Sequence, residues 1–164
     1  MGLGEKLQRL ARLVPGIAGY QDKEQSRDTD KAVRMKLSSE LEQIKSTIES
    51  EKRILMEKND ISLLPALDAV ASKLDKIMNL IKYASRGYSG VFDMPKVDQH
   101  KLDTLYAFDL GLFDDIKLIE AAAEVLRDLS GDRATLKNAL QKLEETVDGF
   151  EKNFLTRQNL LSAE

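Results

Sequence analysis

Cysteine and tryptophan are both missing from these 164 residues. Without a thiol there is no disulfide framework, zinc knuckle, iron–sulfur ligation or cysteine nucleophile, and the chain suits a reducing compartment, with the cytoplasm expected. Histidine is nearly missing too, with His100 alone in the chain. It has Asp98 and Asp103 close in sequence but no Glu-x-x-His pair, so the ligands of a carboxylate-bridged di-metal centre are lacking. Neither a metal nor any other cofactor is expected. Phosphate-cradling loops of the Gly-x-Lys-Ser/Thr or Gly-x-Gly-x-x-Gly kind do not occur, and nothing supplies the strand-and-turn frame of a Ser-His-Asp triad. No catalytic residue stands out, so the expectation is a non-enzyme. There is no run of about 18 apolar residues to span a membrane, and the first residues do not read as a secretory signal. With 25 basic against 28 acidic side chains the net charge is −3, which gives no reason to expect nucleic acid as a partner.

What the chain does have is helical periodicity. All three prolines, Pro15, Pro65 and Pro95, fall between periodic segments, and no two-residue alternation marks a strand. A short segment from Leu3 to Val14 carries Leu3, Leu7, Leu10 and Val14 on one stripe, flanked by Lys6, Arg9 and Arg12, and Pro15-Gly16 stops it. A second segment, Gln21 to Lys58, has Leu37, Leu41, Ile44, Ile48 and Leu55 in register and would be roughly 55 Å long as one helix. Asp60 or Ser62 is placed to cap a third, with stripe Leu67, Val70, Leu74, Ile77 and Ile81, closed by Gly87. Asp98 is placed to cap a fourth, with Leu102, Leu105, Leu112, Ile116, Ile119, Ala123 and Leu126. Asp132 is placed to cap a fifth, with Leu136, Leu140, Leu143, Val147, Phe150, Phe154 and Leu161. This pattern predicts an all-α fold: an antiparallel bundle of four long helices over residues 15–164, plus a short amphipathic N-terminal helix over residues 1–14. Short connections imply that consecutive helices are antiparallel neighbours.

Charges that interrupt an apolar seam are informative, because a buried charge must be paired or must serve a site. Counting back from Leu37 by threes and fours gives Arg34, Asp30, Arg27 and Lys23, an ionic stretch on the same seam. In the fourth helix the count from Leu105 to Leu112 passes through Asp109, a lone carboxylate between leucines. Three readings stand side by side: a solvated overhang of helix two, a salt-bridge network joining Asp109 to Arg27 or Arg34, and a polar pocket for an anionic ligand or partner. Beside this seam, six of the nine aromatic residues lie between Tyr83 and Phe113. They surround the one long loop, where Arg86, Tyr88 and Phe92, together with Tyr106, either plug the bundle end or form a recognition surface. The N-terminal arm (Leu3, Lys6, Leu7, Arg9, Leu10, Arg12) has its own alternatives: docking on the bundle, a protein partner, or an anionic membrane surface.

Two blocks carry a resemblance. The first is Pro15-Gly16, Gly19-Tyr20, Lys23-Glu24, Arg27, Asp30-Lys31 and Arg34. The second is Tyr83-Ala84-Ser85, Gly87-Tyr88-Ser89-Gly90, Phe92-Asp93, Leu102-Asp103, Leu105-Tyr106 and Phe108-Asp109-Leu110. Together, over about a third of the chain, they resemble a family of uncharacterised prokaryotic helical-bundle proteins without an assigned activity. The resemblance implies a shared fold and shared special residues, and no mechanism. Met1-Gly2-Leu3 followed by an amphipathic helix is similar to the membrane-sensing N-terminus of phage-shock-protein-A-type stress proteins, whose longer coiled coils the rest of the chain does not match.

The function expected from these features is that of an interaction protein, an adaptor or scaffold that binds another protein or lies against a membrane. One alternative is a ligand-binding or enzymatic pocket built on Arg27, Asp30, Arg34 and Asp109 beside the aromatic loop. Another is homo-oligomerisation through helix two, where Glu51 on the seam needs a partner.

Overall fold

The computed structural model describes residues 1–84, 98–127 and 132–162, apart from the side chains of Lys23 and Ser162. Among them every regular element is helical: α1 (Leu3–Leu13), α2 (Lys23–Glu57), α3 (Leu64–Tyr83), α4 (Gln99–Val125) and α5 (Arg133–Ser162). The all-α bundle expected from the periodicity is present, and the stripes on α2 to α5 are the buried core.

The ends of the helices follow from local chemistry. Asp22 accepts from the Gln25 N–H at 2.9 Å and Asp98 from the His100 N–H at 3.1 Å, satisfying donors that a first turn leaves open. At the end of α2, Asn59 takes a left-handed φ of 56°, so that its N–H reaches Met56 O (3.1 Å) and the Asp60 N–H reaches Leu55 O (2.9 Å). That paired closure is a Schellman motif, which asparagine tolerates better than residues with bulkier side chains. The expected cap of α3 is corrected. Leu63 stands at its N-cap without a side-chain bond, and Asp60 instead accepts from Arg133 and Ser62. Pro65 in the first turn has no N–H to leave unsatisfied, which lessens the need for a capping side chain.

Packing departs from a simple serial bundle. α2 lies against α3 and α4, and α5 lies against α4 and α3, so the order around the core is α2, α3, α5, α4. Within each hairpin the helices are antiparallel, as Lys45–Asp75 and Lys52–Asp68 show for α2 with α3. Across the hairpins they are parallel: Lys73 pairs with Asp148 and Lys76 with Glu151, the numbers rising together along α3 and α5. Consecutive α3 and α4 therefore sit on a diagonal, against the expectation that they would be neighbours. The connection between them is long enough to cross the bundle end, so nothing forces adjacency.

α1 packs on α4, with Lys6 paired to Asp103 at 2.7 Å. Leu10 and Val14 are buried in the same core as the long helices, while Leu3 and Leu7 are half-buried against it. Burying two such side chains contributes about 3–6 kcal/mol, so α1 leaves α4 only for a surface that covers it equally well. Arg9 and Arg12 point to solvent. No helix among the described residues is long and apolar enough to cross a membrane.

The start of α5 generates a pH prediction. The Thr135 N–H donates to Asp132 Oδ1 at 2.7 Å, and this bond holds the Asp132 carboxyl below its ordinary pKa. A depressed folded-state pKa contributes stability above the unfolded aspartate's pKa, and that contribution is lost as pH falls through the folded value. Asp132→Asn, which keeps a capping oxygen that does not titrate, should therefore lose less stability on acidification than the wild type. Thermal melts from neutral to strongly acidic pH check this, and parallel curves for the two proteins would contradict it.

Candidate functional site

The two interrupted seams do meet, at the end of the bundle where α2 and α4 begin and α3 and α5 end. Asp30, Arg34 and Asp109 are all buried to 3% exposure or less. Asp30 and Arg34, one turn apart on α2, form an ion pair, Arg34 Nε to Asp30 Oδ2 at 2.9 Å. Arg34 Nη1 also donates to Ile81 O at 2.9 Å and Lys82 O at 3.3 Å. These are carbonyls of the last turn of α3, which have no partner within the helix and carry the negative end of its dipole. One guanidinium thus neutralises Asp30 and caps α3.

The partner of Asp109 is Arg157, on α5. Its Nε donates to Asp109 Oδ1 at 2.5 Å, and its Nη2 lies 2.9 Å from Asp30 Oδ1 and 3.3 Å from the Tyr20 hydroxyl. Nη1 donates to Gln158 Oε1 at 2.8 Å. Arg157 has no solvent exposure at all. This corrects the expected pairing of Asp109 with Arg27 or Arg34: Arg34 serves Asp30 and α3, and Arg27 is exposed on the outer side of α2. The true seam of α2 runs through Ser26, Thr29, Asp30 and Val33, all buried, so the count that led to Arg27 slipped by one residue. Lys23's side chain, Arg86, Tyr88 and Phe92 lie outside the described residues, and the aromatic-loop reading with them.

Tyr20 completes the cluster from the link between α1 and α2. Its hydroxyl donates to Asp109 Oδ2 and its backbone N–H donates to the Tyr106 hydroxyl at 2.9 Å. The two rings are tilted at 51° with centroids 5.2 Å apart. Gly19 makes that approach possible. Its φ is +98°, and a Cβ there would stand 2.6 Å from the Tyr106 oxygen. Thr29 locks the turn from below, accepting from the Gly19 N–H at 3.1 Å and donating to the Gly19 carbonyl at 2.9 Å. Gly19, Tyr20, Asp30 and Arg34, from the start of the chain, are therefore in one place with Tyr106 and Asp109 of α4.

The electrostatics favour holding over reacting. Two carboxylates face two guanidiniums, so the cluster is neutral while both tyrosines keep their protons. Burial pushes Tyr20 well above the ordinary phenol range, and the Asp109 charge pushes it further. Burial also raises Tyr106. Burial raises Asp109 above the usual carboxylate range, with Arg157 and the Tyr20 hydroxyl pulling against it. For Arg157 burial works against the charge, but Asp109 and Asp30 overcome it and keep the guanidinium charged. A base, acid or nucleophile must reach its substrate, and none of these groups faces solvent. Among the described residues no set of His, Asp and Glu could hold a metal ion, and His100 donates its backbone N–H to the Asp98 cap while its carbonyl accepts from the Thr104 hydroxyl.

Sequence reasoning missed Arg157, and it named Tyr20 only as part of the first resembling block, without a role in the ionic cluster. Arg157 was findable by the count that found Asp109, since it stands three residues after Phe154 and four before Leu161. Tyr20 lies in a non-helical link, where no periodicity exists to be broken.

Removing one partner of a buried pair strands the other charge, at a cost of about 3–5 kcal/mol. Arg157→Ala and Asp109→Ala should each lose about that much in urea denaturation, and the double variant should lose clearly less than their sum. Additive losses would mean that the two charges are not coupled. Comparison with known protein families, with curated proteins and with solved structures finds no match for this chain.

Proposed function

We propose that this chain is a non-enzymatic interaction protein, an adaptor or scaffold whose bundle presents a fixed surface to another protein. One observation carries the reading: the groups best suited to chemistry, Tyr20, Asp30, Arg34, Asp109 and Arg157, are buried and bonded to one another. Such a network holds elements in register, and rigid elements are what a recognition surface needs. The surface we assign is the end of the bundle above this network, where Tyr83 is 69% exposed and Arg27 faces outward. Tyrosine and arginine are common anchors at interfaces. The family resemblance of the two blocks then reflects a shared buried network and the end of the bundle it organises. A cytoplasmic location fits the missing cysteine.

The membrane reading is weaker, because α1 would have to withdraw Leu10 and Val14 from the core. Oligomerisation through α2 is also less favoured. Its stripe from Val33 to Leu55 is already covered within the chain by α3 and α4.

The test is affinity purification of the tagged protein from its own cells, followed by reconstitution with the purified partner. A stoichiometric partner should be recovered and then lost with Tyr83→Ala or Arg27→Ala, while stability stays within about 0.5 kcal/mol of wild type. Turnover of a small molecule by the purified protein, abolished in Asp109→Asn, would replace this reading with a catalytic one. Anionic liposomes supply a second check: the full chain and one lacking residues 1–14 should both stay in the supernatant. Sedimentation of the full chain alone, weakened by salt, would instead make α1 a membrane anchor.

A further inference from the structure

α4 is apolar on a second face, the one turned away from the core. Ala107, Gly111, Asp114, Leu118, Ala121 and Val125 follow one another at spacings of four and three, so they fall in one line along the helix. Leu118 is 57% and Val125 50% exposed, and Ala107 and Ala121 are exposed with them. Single apolar side chains on a surface mean little, but a line of them over about five turns is the pattern of a helix that packs on both sides. Within the chain α4 lies against α1, α2 and α5, and these leave the line open.

Two glycines carry the same message. Gly111, in the line, and Gly149, on α5, stand mid-helix, where glycine is less stable than alanine. Neither has a positive φ, and a Cβ on either would meet nothing within 4 Å. Nothing inside this chain requires their missing side chains. The Asn153 amide donates to Asp115 Oδ2 at 2.7 Å, which fixes the antiparallel register of α4 with α5. Gly149, one turn before Asn153, therefore stands beside the turn of α4 that holds Leu118. Next to Gly111 the two helices form an open groove of about 290 Å³, lined by Thr104, Ala107, Phe108 and Asn153. A second backbone laid along this face would need both glycines to come close.

Charge selects the occupant. Asp114 is the one charge in the line, it is exposed, and it makes no ion pair among the described residues. A second copy docked in register, in either direction, would bring two Asp114 carboxylates within about a turn of each other on a seam that loses water, which is repulsive. A helix with a cation at that point would be attracted instead.

We propose that this face of α4, with the groove beside α5, docks an amphipathic helix of a partner protein that carries a lysine or arginine in its apolar seam. That cation meets Asp114, the seam lies on Leu118 and Val125, and one of its side chains enters the groove at Phe108. The proposal rests on the reading of this chain as an interaction protein, and its surface is distinct from the one at Tyr83 and Arg27.

The experiment is photo-cross-linking in the protein's own cells with benzoylphenylalanine placed at Leu118 of the full chain, and at Asn79 on the diagonal helix α3 as control. Leu118 should capture one protein segment that Asn79 does not. Mapped by mass spectrometry, that segment should be an amphipathic helix with a lysine or arginine in its seam. The synthetic segment should bind the purified chain. Asp114→Lys should weaken binding at least tenfold, and changing the segment's own basic residue to glutamate should recover it. Gly111→Ala should raise the melting temperature of the free chain by about 1–4 °C and yet weaken binding, a split that a purely structural glycine would not give. Binding unchanged by Tyr83→Ala and Arg27→Ala supports this face over the bundle end. A partner lost with those two changes and never captured at Leu118 would sink this proposal while leaving the interaction reading intact. Capture of a second copy, a segment with no base in its seam, or unchanged affinity in Asp114→Lys would also overturn it.

Discussion

Everything at one end of this bundle depends on placing the charge of Arg157 where no water reaches. A guanidinium stripped of solvent must recover several kcal/mol from oriented partners, and no single helix can provide enough of them. Asp109 comes from α4, Asp30 from α2 and the Tyr20 hydroxyl from the link after α1. Arg34 then closes the set by drawing in the last carbonyls of α3. Each of the four long helices, and the link after α1, has a group in, or tied directly to, this one cluster.

That arrangement supplies something the apolar core does not. Leucine and isoleucine stripes at three-four spacing pack acceptably in more than one register, since sliding a helix by a heptad presents a similar face. The slide would carry Arg157 about 10 Å from Asp109 and leave two charges stranded. Helix order is constrained in the same way. The parallel placement of α2 beside α4 brings Asp30 and Asp109 to the same end, where one arginine serves both. An arrangement with α3 between them would have separated the carboxylates.

The two ends of the molecule are thus unlike. Above, the charged groups satisfy one another, although the buried Ser26 hydroxyl has no hydrogen-bond partner among the described residues, and α1 is fastened there by Lys6, Leu10, Val14 and the turn at Gly19. Below, Ile48, Leu55, Ile119 and Leu126 form an apolar core, and the buried Glu51 Oε2 has no hydrogen-bond partner among the described residues.

The sequence by itself determined the five helices, the buried stripes and the places where those stripes fail. Each of these is a local property: a side chain's face is set by its position within a 3.6-residue repeat, and a cap by the few residues around it. Asp30, Arg34 and Asp109 were legible for that reason, as charges on a seam. Only the tertiary structure decided which charges meet. The pairings span 48 residues from Asp109 to Arg157 and 137 from Tyr20 to Arg157. They follow from the order α2, α3, α5, α4, which periodicity does not encode because each stripe fits several neighbours. The part Tyr20 plays in the cluster was hidden for a related reason. Tyr20 sits in an irregular turn whose shape comes from a positive φ at Gly19 and from the Tyr106 hydroxyl lying against it, a contact across 86 residues. Helical faces are written in short-range spacing, whereas partners are chosen by packing.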